Sequence, residues 1–174
     1  MSLPQKPGPA KLVISVLMNG KHLLDPLISK LTSKFGPVDM LSEWFPFDFT
    51  TYYEHEMGTP LIRRMLAFEE LIQQTALPEI KAFTNKLELD NAGDRRRSIN
   101  IDPGYLLLER FVLATGKNFT HRIYLGQGIY ADLTLLFQQG DFQPLPWTYP
   151  DYSAENMLVF LRKVRDKFKI DLRE

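Results

Sequence analysis

Lys11-Leu-Val-Ile-Ser-Val-Leu-Met18 is β-branched and almost continuously apolar. A run of this kind reads as a central strand covered on both faces. Asn19-Gly20 then turns the chain. From His22 to Phe35, Leu23, Leu24, Leu27, Ile28, Leu31 and Phe35 recur at helical spacing, and Gly36-Pro37 closes that helix. A second strand is expected over 38–45, broken at Pro46, with extended chain resuming over 47–53. Residues 61–71 carry both a helical stripe and a passable alternation. Strand is favoured there, because Tyr52 to Leu71 around Gly58-Thr-Pro60 looks like a hairpin.

Further along, 78–89 predicts a helix with Ile80, Phe83, Thr84 and Leu87 on one side. Arg97–Asp102 alternates as a short strand, ended by a Pro103-Gly104 turn. Residues 105–115 fit helix or strand, and Val112, Thr115 and the exit through Gly116 favour strand. Arg122–Leu125, Ile129–Phe137 and Phe142–Leu145, separated by Gly126-Gln-Gly128 and Gln138-Gln-Gly140, read as a β-meander. A closing helix is expected over 154–168, with Met157, Leu158, Leu161, Val164 and Phe168 as its stripe. The first six elements follow a split β-α-β arrangement, the ferredoxin-like βαββαβ order. The class is therefore α+β with a mostly antiparallel sheet, extended by the meander and the C-terminal helix.

Composition bounds the function. The chain has 174 residues, is 44% hydrophobic and 24% charged, and balances 21 Lys and Arg against 21 Asp and Glu. These are globular proportions rather than those of a disordered or fibrous chain. Zero net charge argues against a dedicated nucleic-acid binder. With no cysteine and three histidines, neither a disulfide framework nor a thiolate zinc site is available. The longest apolar run falls far short of the ~20 residues that span a bilayer. The proline-rich start lacks the apolar region of a secretory signal. The expectation is a cytoplasmic protein with a loose lead-in over 1–10 and a single domain over 11–174.

Four stretches carry a resemblance: Phe47-Asp-Phe-Thr-Thr-Tyr-Tyr-Glu-His-Glu-Met-Gly58, Asn100-Ile-Asp-Pro-Gly-Tyr-Leu106, His121-Arg-Ile-Tyr-Leu-Gly126 with Ile129-Tyr-Ala-Asp132, and Pro146-Trp-Thr-Tyr-Pro-Asp-Tyr152. Together they resemble an uncharacterised bacterial family known as a domain of unknown function (family 4416), over about Lys11 to Phe168. The resemblance implies no activity, cofactor or site residue. Some members carry a GTP-binding label, which motifs can test. A phosphate loop needs G-x-x-x-x-G-K-[ST]. The nearest match, Phe111-Val-Leu-Ala-Thr-Gly-Lys-Asn118, lacks the first glycine and the Ser/Thr. Asn85-Lys-Leu-Glu88 resembles a guanine-reading N-K-x-D but ends in Glu inside a predicted helix. Gly126-Gln-Gly128 is a hairpin turn rather than a dinucleotide fingerprint.

Other clusters have a plain reading beside the functional one. Glu54-His55-Glu56 on a strand would point its members to opposite faces, a poor chelate and more simply a solvated edge. No metal site is assigned. Asp102 and His121 could meet across the sheet as acid–base partners or ligands, although Asp102 before Pro-Gly is more simply a turn carboxylate. Arg95-Arg-Arg97 reads as a solvated loop or a phosphate contact. In the meander, Arg122 and Tyr124 share one side with Tyr130 and Asp132. That side is either an Arg122–Asp132 ion pair with tyrosine hydroxyls or a pocket where Arg122 receives an anion. The aromatic loop 146–152, with Trp147, Tyr149 and Tyr152, caps a core or forms a binding rim. No Ser sits in a nucleophile elbow.

Three functions follow as expectations. The first is binding of a small anionic or nucleotide-like ligand on the sheet face, by Arg122, Tyr124, Tyr105 and Asp132 with Asp102. The second is hydrolase or transferase chemistry using Asp102 and His121. The third is a protein–protein contact through loop 146–152.

Overall fold

The computed structural model describes residues 1–93 and 97–173, so Arg95 and Arg96 of the basic run lie outside the described residues. β1 (Ala10–Met18) is buried at every position. It runs between β4 (Leu61–Ile72) and β5 (Ile99–Leu106), antiparallel to both. That placement explains its unbroken apolarity, since alternate residues must fill two different cores.

One core lies under two helices. Leu12, Ile14, Val16 and Met18 of β1 pack with Leu24, Leu27 and Leu31 of α1 (Leu24–Phe35) and with Ile80 and Leu87 of α3 (Leu77–Asp90). The opposite face holds Val13, Met65 and Ala67 against Met157, Leu161, Val164 and Phe168 of α4 (Glu155–Asp171). Lys11, on this second face, is fully buried, with its ammonium 2.5 Å from Asp39 and 2.7 Å from Asp171. Asp171 also meets Lys167. Burial opposes ionisation of Asp171, but the two lysines hold its carboxyl below the usual range.

β2 (Val38–Leu41) completes the first half of the sheet, whose order is β2-β4-β1-β5. The two β-α-β units interleave: β4 separates β1 from β2, and β1 separates β4 from β5. This is the split arrangement the element order predicted. β6 (Arg110–Thr115), β8 (Ile129–Gln138) and β7 (Arg122–Gly126) extend the sheet in that order, and β9 (Asp141–Pro144) pairs with β8 beyond β7. Every pairing is antiparallel. The hairpin tip between β7 and β8 places Gly126, Gln127 and Gly128 at φ of 115°, 55° and 75°. Two of these three positive-φ positions are glycine, which bears that conformation without steric cost.

Several sequence expectations need correction. The strand expected over 38–45 is two pieces, β2 and β3 (Phe45–Phe47), both paired to β4. Pro46 sits inside β3 rather than breaking it, as an edge strand with one partner allows. Extended chain does not resume over 47–53. Turns there lead into a single helical turn, α2 (Glu54–Met57), so Glu54-His55-Glu56 is helical and not a strand edge. Residues 61–71 are strand as read. Pro103-Gly104 is not a turn: β5 runs through it to Leu106, and the chain reverses at 107–109. The segment 105–115 is accordingly the end of β5 and the whole of β6.

The reason for the Pro-Gly error positions the site. β6 pairs with β5 only from Leu113 opposite Gly104 to Phe111 opposite Leu106. Beyond that point β5 stays bonded to β1 while Ala114 and Thr115 stay bonded to β8. Pro103 has no N–H to donate to a ladder. A Cβ on Gly104 would lie 2.4 Å from the carbonyl oxygen of Val112, so only glycine lets the strands meet there. From this pinch the sheet opens into a wedge.

Candidate functional site: a cleft where the sheet parts

The wedge is a cleft of about 610 Å³. Asn100 and Asp102 of β5 face Leu113–Thr115 of β6, with Gly116 and Lys117 just after it, across the cleft, and Lys81, Asn85 and Glu88 of α3 line one flank. Phe47, Phe49, Tyr52 and Tyr53 from the β3–α2 segment and Tyr149–Tyr152 from the loop after β9 supply two aromatic walls.

Its deepest cation is Arg63 of β4, 4% exposed. The guanidinium lies between the rings of Phe47 and Tyr152, 5.0 and 4.9 Å from their centroids. Nη1 is 2.7 Å from Asp151, yet neither Nη1 nor Nε makes an aligned hydrogen bond. The Tyr152 hydroxyl is likewise buried, beside that of Ser15. Burial, aided by Asp102, pushes the Tyr53 and Tyr152 phenols up, so both stay protonated donors at neutral pH.

Along the flank, Lys81 donates to the Ile101 carbonyl at 2.8 Å and to Asp102 at 3.3 Å, and Asn100 donates to Asp102 at 2.7 Å. Glu88 accepts the Ile101 N–H at 2.7 Å and Arg97 at 2.8 Å. Arg97 also forks onto Glu56 at 2.6 and 2.7 Å, fastening α2 to the wall. Burial pushes the Glu88 carboxyl up, and the Arg97 hydrogen bond holds that of Glu56 down.

The rim is a chain of contacts. Lys117 donates to the Tyr52 hydroxyl at 3.0 Å, Arg122 Nη1 donates to the Lys117 carbonyl at 3.0 Å, and Arg122 Nη2 reaches the Tyr149 hydroxyl at 3.4 Å. Lys117 holds the Tyr52 phenol below its ordinary range. Arg63, Lys81, Arg97 and Arg122 each have a carboxylate partner within 3.3 Å. Among the described residues, Lys117 lines the cleft with none.

The sequence candidates divide. Arg122 and Asp132 form the expected cross-strand pair at 2.8 Å and line the cleft, as does Asp102. Tyr124 and Tyr105 do not. Tyr124 is exposed on β7, its ring 5.2 Å from that of Tyr130, and Tyr105 is half-buried beneath α3 with Leu77 and Val112. Strand alternation placed Tyr124 on the side of Arg122 correctly, but the cleft lies at the opposite end of that face. Asp102 and His121 do not meet. Asp102 contacts Lys81 and Asn100, whereas His121 lies 3.3 Å from Asp132 and stacks on Trp147 with centroids 4.8 Å apart. Trp147 in turn donates to the Leu133 carbonyl, tying loop 146–152 to β8. No group of three or more His, Cys, Asp or Glu able to hold a metal is present among the described residues. Nor is any described helix long and apolar enough to cross a membrane.

Sequence reading missed Arg63, Lys81 and Lys117. Lys117 lay in the rejected phosphate-loop match, which the structure also rejects, since β7 and no helix follows it. Arg63 carried one signal, a charge inside a strand otherwise buried from Met65 to Phe68.

Fold and cleft together define an α+β protein with an antiparallel sheet that is prised apart around a polar, aromatic-walled cavity. The chain belongs to the DUF4416 family, a domain of unknown function, whose model matches residues 8–168. No curated protein and no solved structure matches it.

Proposed function

We propose that the cleft binds a small phosphorylated, nucleotide-like anion, with the phosphate at Lys117 and the ring system between the aromatic walls. The observation that carries this reading is charge accounting. Four lining cations are paired with carboxylates, and Lys117 at the mouth meets the Tyr52 phenol and, among the described residues, forms no ion pair. A volume of about 610 Å³ fits a ligand of that size. Below the mouth, the protonated Tyr53 offers a donor to acceptor atoms on the ligand body, and Phe47 and Phe49 offer stacking surface.

The test is a thermal-shift and calorimetric panel of AMP, GMP, UMP, ATP, GTP and inorganic phosphate. A ligand at 100 times its Kd stabilises by about 2.7 kcal/mol, a rise of roughly 5–10 °C for a chain this long. Lys117→Ala removes one charged hydrogen bond, worth about 1.5–3 kcal/mol, and should weaken binding roughly 10- to 100-fold. No shift with any member of the panel, or a shift unchanged in Lys117→Ala, overturns the reading.

A further inference from the structure

We propose that Asp102 and Asn85 receive a vicinal diol, which makes the occupant of this cleft a ribose phosphate. The proposal rests on the reading of the cleft as a site for a phosphorylated, nucleotide-like anion, and adds the group that joins phosphate to ring system. Four carboxylates line the cleft. The side chains of Glu88, Asp132 and Asp151 are only 7%, 10% and 10% exposed, whereas that of Asp102 is 27% exposed. Asp102 accepts one hydrogen bond on each oxygen, from Lys81 and from Asn100. A carboxylate offers about four lone-pair sites, so about half of that capacity remains for a ligand. Its charge acts on Tyr53 of one aromatic wall and Tyr152 of the other, so it lies within reach of both.

An open acceptor in an anion site needs donors on the ligand. Phosphate oxygens are acceptors and would be repelled, whereas sugar hydroxyls donate. Lys81, 3.3 Å from Asp102, offsets the carboxylate charge and lets an anion enter beside it. Asn85 supplies the second contact. Lys81, Asn85 and Glu88 recur at i, i+4 and i+7 on α3 and share one face. Both ends of that stripe are anchored on Ile101, whose carbonyl accepts from Lys81 and whose N–H donates to Glu88. Asn85 is thereby held beside the Ile101–Asp102 stretch. It lines the cleft, and among the described residues its amide makes no hydrogen bond. A hydroxyl both donates and accepts. In a vicinal pair, one hydroxyl donates to Asp102 while its neighbour accepts from the Asn85 amide. A carboxylate taking a ribose hydroxyl is the same pairing that dinucleotide-binding folds use.

Calorimetric titration with AMP, GMP and UMP, with their 2′,3′-dideoxy forms and with ribose 5-phosphate tests this. A ribonucleotide that binds should lose roughly 10- to 100-fold in affinity when both hydroxyls are removed, the effect of a lost hydrogen bond to a charged group. Ribose 5-phosphate should compete with it. In Asp102→Asn and in Asn85→Ala the gap between the two forms should narrow, and the comparison of ligands on the wild type holds whether or not either variant folds. Dideoxy forms that bind as tightly as their ribonucleotides overturn the diol and leave the phosphate reading intact. Binding that ignores Lys117→Ala yet needs the hydroxyls overturns the phosphate position and sustains the diol. No binding by any of these probes overturns both.

Discussion

Gly104→Ala probes the pinch from which the cleft opens. The new Cβ would lie 2.4 Å from the Val112 carbonyl oxygen and 3.0 Å from Leu113 Cδ2. Because non-bonded heavy atoms settle about 3.5 Å apart, β5 and β6 must part by about 1 Å or tilt. Overpacking of this kind costs about 1–3 kcal/mol. Alanine also narrows the unfolded ensemble, returning about 0.4–1 kcal/mol where its backbone conformation is allowed, as the ordinary φ of Gly104 permits. The net expectation is a loss of roughly 1–2 kcal/mol, read as a lower urea midpoint at unchanged m-value, with Tm down by about 2–8 °C. Gly116→Ala is the control, since a Cβ there meets nothing within 4 Å, and its change should stay within about 0.5 kcal/mol. Amide exchange should quicken at Gly104–Leu106 and Phe111–Leu113 in Gly104→Ala alone. A variant as stable as wild type, or a Gly116→Ala equally damaged, would refute the claim that strand proximity dictates glycine at 104.

Lys11→Met strands the carboxylates of Asp39 and Asp171 with Lys167 as their remaining cation, and should cost about 3 kcal/mol in urea unfolding. Adding Asp39→Asn and Asp171→Asn should recover most of that loss, and no recovery would mean that Lys11 acts through packing alone. On acidification, carboxyl NMR should show Glu88 titrating above and Glu56 below the ordinary Glu value of about 4.3, since burial raises the first and Arg97 lowers the second. The depressed Glu56 value means that its stabilisation of α2 is complete at neutral pH and fades as pH falls through that value. Faster amide exchange across 54–58 in acid, absent in Glu56→Gln, is the matching readout.

What the sequence discloses and what it hides follow from how local each determinant is. β1, the meander, three helices and the interleaved order were legible because periodicity and turn glycines are written within a few residues of one another. The Arg122–Asp132 pair was legible too, since a two-glycine turn fixes hairpin register. Pro103-Gly104 misled because the dipeptide that makes a turn also suits a strand whose neighbour must first come very close and then depart. Nothing adjacent in sequence records that Val112 will be that neighbour. The α2 segment misled for a similar reason. Its helical turn is fastened by Arg97, 41 residues away, through Glu56.

The candidate site is hidden by the same logic carried further. Its members come from β3, α3, five further strands from β4 to β8 and the loops between elements, and the cleft exists only because two adjacent strands diverge. Short-range pattern left Arg122 either paired with Asp132 or open to an anion. Folding spends that charge on Asp132 and leaves Lys117, five residues earlier, facing a phenol. Arg63 shows the converse. A charged side chain costs too much to bury without compensation, and Asp151, brought from the loop after β9, supplies it. Because Asp151 occupies only one side of the guanidinium and Nε stays without an aligned acceptor, the arrangement satisfies the charge without using up its donors. What separates this cleft from the Lys11 cluster on the same face of the sheet is access: the Lys11 ammonium is wholly covered between Asp39 and Asp171, whereas the Arg63 side chain lies in the wall of an open, aromatic-lined cleft.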